Sequence, residues 1–289
     1  MMGPVAKAQI RVPTPTGPPS RYPIRVAEPK SPMLIAPMLT EMDRSETARL
    51  TAYAEGGGVL YVSGAGSREL TETLTGGRII GLTETDKIYL APTDAAGGVF
   101  GWFNKTYPMP FEGRAPILDA PRDAKVLATL TLPYTGPGET RFAAIHSDPP
   151  GRPTNVPMIL ERTVGKGKVI WSAVPIESVR MAEYRDVFTG LLCAARGSDS
   201  FRVAGSIPED VEITLFEDAE GLLVNAVRLC NESVSPAVPA FGLSVQTDSA
   251  PKKVLLLPKK TEIPFRYENG RCAFDVPDFR ILSMIQILK

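Results

Sequence analysis

The chain predicts an α/β domain built on a parallel sheet, followed by a small all-β sandwich. Three observations carry this. A strand–helix–strand unit lies at 32–62, a helical stretch at 178–195 follows further apolar strands, and short segments divided by turn residues run from 211 onward. The expected boundaries are an extended lead-in over 1–30, an α/β domain over 31–198 and a β-sandwich over 199–289.

The lead-in is proline-rich and reads as a linker, with Ala8–Val12 and Tyr22–Val26 as edge strands. Pro32–Leu39 is a continuous apolar run, as expected of a strand buried on both faces. Asp43 and Glu46 form an acidic variant of the capping box for a helix through Glu55, which Gly56-Gly57-Gly58 ends. Val59–Val62 is the next strand, and a crossover of this kind implies a right-handed parallel connection. Residues 67–80 predict a short helix and a turn at Gly76-Gly77, and 84–120 is irregular and aromatic. Strands follow at Ala124–Leu130, Arg141–Ile145, Pro157–Arg162 and Lys168–Ser172, the last two joined by a turn at Gly165-Lys-Gly167. Ser178–Ala195 is helical. Strands are then expected at 211–216, 222–229, 239–245, 252–257, 263–267, 271–276 and 280–288, with Glu268-Asn-Gly270 as a type I′ hairpin turn.

Composition narrows the function classes. Hydrophobic residues at 43% and charged residues at 22% are those of a folded globular protein. Lys+Arg and Asp+Glu both number 32, so no net field favours nucleic acid or an anionic membrane as partner. No apolar run approaches the ~18 residues needed to span a bilayer. The N-terminus lacks the apolar core of a signal peptide, which favours a cytoplasmic location. Cys193, Cys230 and Cys272 are widely spaced without a CxxC, and with one histidine in the chain neither a zinc site nor any cofactor is expected.

Four stretches carry a resemblance: Leu34–Leu39, Ala48–Ser63, Phe142–Gly151 and Val164–Glu177. With the β-rich tail they resemble the C-terminal region of a group of bacterial glycoside hydrolases. In these, a barrel-like catalytic domain precedes a domain similar to class I glutamine amidotransferases, which corresponds to the trimerisation domain of certain β-galactosidases, and a small β-sandwich follows. The resemblance implies a flavodoxin-like, mostly parallel sheet with helices on both faces. It also implies an upstream barrel, association into a homo-oligomer and a link to carbohydrate. One departure is that the lead-in before Leu34 is too short for the usual first βαβ units.

Class I amidotransferases place a cysteine at a sharp strand-to-helix turn, activated by a histidine and a carboxylate. Here Val59–Val62 runs into Ser63-Gly-Ala-Gly-Ser67, which has no thiol and does not fit GxSxG. His146, oriented by Asp148, is a candidate general base, or else a histidine bonding backbone at a proline-rich corner. Glu177 ends a strand, the place of a ligand in open α/β sheets, or caps the following helix. Glu161, Asp119, Asp94 and Glu112 are further carboxylates of the kind a glycosidase pairs. Gly165-Lys-Gly167 is flanked by strands and is a hairpin rather than a phosphate loop. In the aromatic stretch, Trp102 and Tyr107 are candidates for stacking on a sugar, for local packing or for a subunit contact. The expectation is a non-catalytic accessory or assembly region of a carbohydrate-active enzyme, the alternatives being a sugar-binding module and a small hydrolase using His146.

Overall fold

The computed structural model describes residues 32–38, 42, 44–64, 67–140, 148–197, 200–208, 210–217, 219–229 and 236–289. They divide into two units, one ending at Gly197 and one formed by the residues from Ser200 on. The strands expected at 8–12, 22–26 and 141–145, the Asp43 cap, His146 and Cys230 lie outside the described residues.

In the first unit, β1 (Met33–Ala36), α1 (Arg44–Glu55) and β2 (Val59–Ser63) form the expected crossover, with β1 and β2 parallel. After them come α2 (Arg68–Thr75), β3 (Arg78–Leu82), β4 (Lys87–Pro92), β5 (Met109–Glu112), β6 (Pro116–Asp119) and β7 (Lys125–Pro133). The unit ends with β8 (Pro150–Val164), β9 (Gly167–Ser172) and α3 (Ala182–Arg196). Seven strands make one sheet in the order β1-β2-β9-β8-β7-β4-β5, while β3 and β6 pair separately.

This corrects the flavodoxin-like, amidotransferase-like expectation. Only the β1–β2 and β2–β9 pairings of the seven-stranded sheet are parallel. The others are antiparallel, and strands outweigh the three α-helices among the described residues. The physical reason lies in the connections. A parallel neighbour needs a crossover of a dozen residues or more. β8 instead returns as β9 through the two residues Gly165 and Lys166, so it must run antiparallel. The stretch read as irregular holds β4 and β5, whose pairings extend the sheet sideways rather than covering it with helices, and β6, which pairs with β3 apart from it.

The hairpin tip has a second task. The last carbonyls of a helix have no partner within it. Lys166 N–H donates to Glu55 O at 3.0 Å and Lys168 N–H to Gly58 O at 3.1 Å, so the glycine-lysine turn closes the end of α1. The core above is apolar and continuous, with Leu50, Leu60, Tyr61, Leu90, Met158, Ile170, Trp171, Val187 and Leu191 all buried.

Strand β7 pairs with the long β8 through repeated register shifts, and prolines stand at the partners. Thr129 faces Pro157, Thr131 faces Pro153 and Pro133 faces Pro150. Proline offers no N–H to the ladder. Beside Pro153, the Thr154 hydroxyl donates to Leu130 O at 2.8 Å and supplies a bond that the backbone cannot.

The second unit contains β10 (Phe201–Ala204), β11 (Val211–Glu217), β12 (Gly221–Arg228), β13 (Phe241–Gln246), β14 (Lys253–Leu257), β15 (Thr261–Glu262), β16 (Phe265–Glu268), β17 (Arg271–Val276) and β18 (Leu282–Leu288). They form two antiparallel sheets, β10-β13-β17-β16 and β11-β12-β18-β14-β15, which share one apolar core including Val224, Leu243, Val245, Phe274 and Ile285. Asn269 and Gly270 both have positive φ, as the type I′ turn between β16 and β17 requires.

Candidate functional site

The parallel strands β1, β2 and β9 end on the same side of the sheet, where open α/β sheets place their ligands. Three side chains meet there. Glu177 sits in a 3-10 turn (Ile176–Ser178) shortly after β9 and is 8% exposed. Tyr61 Oη donates to Glu177 Oε2 at 2.7 Å, and Ser63 Oγ donates to Oε1. Ser63 in turn accepts from Met38 N–H at 3.1 Å, with Met38 in the left-handed region at φ 47°. Gly64, at φ 82°, turns the chain after β2 and donates to Ser172 O at 2.9 Å.

Burial governs the electrostatics of this cluster. It pushes the Glu177 carboxyl above its ordinary 4.5, against the hydrogen bonds from Ser63 and Tyr61 that favour the charge. Burial, and then the charge of Glu177, hold the Tyr61 phenol well above 10, so it remains a donor. Ser63, 3% exposed, points its proton at the carboxylate. The arrangement ties the end of β2 to the segment leaving β9. The helix-capping reading of Glu177 gives way, because α3 starts at Ala182 with Met181 at its N-cap and no side-chain cap bond.

The other candidates lie elsewhere. Asp148 accepts from Thr135 N–H at 3.0 Å and from Thr135 Oγ1 at 2.6 Å, and its carbonyl accepts from the Tyr89 hydroxyl. It lines a shallow cleft of about 420 Å³ with Glu84, Asp86, Lys87 and Arg114. Glu177 spends its bonds on β2 and Asp148 on the loop after β7, so these two candidates do not share a network. Glu161 pairs with Lys168 at 3.4 Å and Asp94 with Lys105 at 2.8 Å. Asp119 and Glu112 are exposed residues of β6 and β5. Trp102 and Tyr107 are 87% and 73% exposed. Among the described residues no group of three or more His, Cys, Asp or Glu could hold a metal ion, and no helix is long and apolar enough to cross a membrane.

Sequence reasoning missed Tyr61. Its signal was present: a tyrosine in a strand buried on both faces must find a partner for its hydroxyl.

No family model matches the chain, and no curated protein matches it. Solved structures do. Alpha-L-fucosidase isoenzyme 2 from Paenibacillus thiaminolyticus aligns with a TM-score of 0.70 at 19% identity, over 89% of this chain and 40% of that one. Gan42B, a GH42 beta-galactosidase from G. stearothermophilus, aligns with a TM-score of 0.52 at 14% identity, over 89% and 32%. The beta-galactosidase from Bacillus circulans sp. alkalophilus gives 0.51 at 13%, over 88% and 33%. The chain therefore spans two fifths or less of the length of these three proteins, and at such identities what it shares with them is the fold of a part of a glycoside hydrolase.

Proposed function

We propose that this chain is an accessory region of a carbohydrate-active enzyme, not catalytic by itself, that serves assembly or shapes the substrate side of an upstream barrel. The observation that carries the reading is the fucosidase alignment, which takes in 89% of this chain but 40% of the larger protein. Two features of the candidate site support it. The sequence that follows β2, Gly64-Ala-Gly-Ser67, has no thiol, and both oxygens of Glu177 already accept hydrogen bonds within a buried cluster. A glycosidase needs carboxylates free to face the sugar.

The purified chain, given aryl α-L-fucoside and aryl β-D-galactoside, is expected to release no chromophore above buffer. Turnover that disappears in Glu177→Gln or His146→Ala would overturn this reading in favour of a small hydrolase. Sedimentation velocity tests the assembly role, with a homo-oligomer expected.

A further inference from the structure

We propose that the Phe100–Tyr107 loop is a saccharide-stacking platform, with the rings of Trp102 and Tyr107 as its faces and Asn104 as the residue that positions them. This deepens the accessory-region reading and rests on it for the class of ligand.

The loop is built rather than loose. Asn104 Oδ1 accepts from Thr106 N–H and Tyr107 N–H, both at 2.9 Å, and its Nδ2 donates to Trp102 O at 3.3 Å. Asn104 N–H donates to Tyr107 O at 3.1 Å. One amide side chain thus fixes the backbone under both exposed rings. Below them, Phe100 is buried and Phe103 packs edge-on against Tyr184 at 5.8 Å, while Lys105 holds the tip to Asp94. Of the four aromatic residues, two anchor the loop and two are left to solvent. Rings fixed beforehand lose little freedom when a ligand settles on them.

The surroundings suit a sugar. A pyranose has a C–H face that lies against the negative face of an aromatic ring, and a rim of hydroxyls that needs polar partners. Asn104, Lys105 and Thr106 beside the rings are exposed and polar. An added Cβ at Gly97, Gly98 or Gly101 would meet nothing within 4 Å, so this flank of the loop is open. The alternative occupant, a second copy of the chain, is less well served. Two aromatic side chains offer about 500 Å² at most, well short of the ~800 Å² per partner of a standard interface, and polar residues interrupt them.

The test uses the contrast between the two tryptophans. Trp171 is fully buried, so a ligand-dependent change in emission reports on Trp102. Titration with methyl α-L-fucoside, methyl β-D-galactoside and lactose is expected to give a saturable change with a Kd on the order of 1 mM for at least one of them. Calorimetric titration of the same sugar should weaken by about tenfold or more in Trp102→Ala and Tyr107→Ala, by less in Trp102→Phe, and measurably in Asn104→Ala with an unchanged circular dichroism spectrum. Sugar binding that survives both alanine variants sinks the platform and leaves the accessory reading standing. Absence of binding by all three sugars also sinks it, while the turnover assay judges that reading separately. Self-association abolished by Trp102→Ala would make this loop a contact between copies and overturn the proposal.

Discussion

A carboxylate as enclosed as Glu177 is costly when ionised, and its two hydroxyl donors offset that cost only in part. Because its value in the folded state is raised above 4.5, the folded protein binds this proton more readily than the unfolded chain. The resulting stability is complete below pH 4.5 and is lost as pH rises through the raised folded value. Urea denaturation across that interval should show the wild type losing stability from this group as pH rises, and Glu177→Gln showing a flatter profile. A glutamine can accept from one hydroxyl and donate to the other, so at pH 7 its midpoint should lie within about 1 kcal/mol of wild type. Glu177→Ala strands the Tyr61 and Ser63 hydroxyls and should cost about 2–4 kcal/mol. The site was half legible in the sequence. Glu177 stood out by its place after a strand, but its partners lie 114 and 116 residues away, beyond any local pattern.

Among the elements, the β8–β9 hairpin depends on a missing side chain. A Cβ on Gly167 would stand 2.1 Å from Ala54 O and 2.3 Å from Gly58 O, backbone atoms that cannot swing aside. Gly167→Ala should therefore destabilise by about 3 kcal/mol or more in denaturant melts, whereas Gly98→Ala, with open space around it, should change stability by under about 1 kcal/mol. This hairpin, the β1–α1–β2 crossover and the Asn269-Gly270 turn were legible because each is set by neighbours in sequence. The strands β4, β5 and β6 were not. They are short, carry prolines at 92, 110 and 116, and find partners such as β7 some forty residues on, so no alternation announces them.

At the scale of the molecule, two apolar cores with separate residue sets predict unfolding that is not all-or-none. Scanning calorimetry should give a calorimetric enthalpy above the van't Hoff value, and Glu177→Ala should move only the part of the profile that belongs to the first core. The overall class was misread for a related reason. The part of the seven-stranded sheet made by β1, β2 and β9 looks parallel from its local signals, and the antiparallel remainder rests largely on pairings between distant segments. The prolines opposite β7 bear on motion as well as shape. Where Pro150, Pro153 and Pro157 interrupt the ladder, the ribbon has fewer amides to break at each step, so it can peel open from that end without disturbing the rest. In deuterium exchange, the amides of 151–156 should label well before those of 159–161, which lie between β7 and β9 and open only when the first core does.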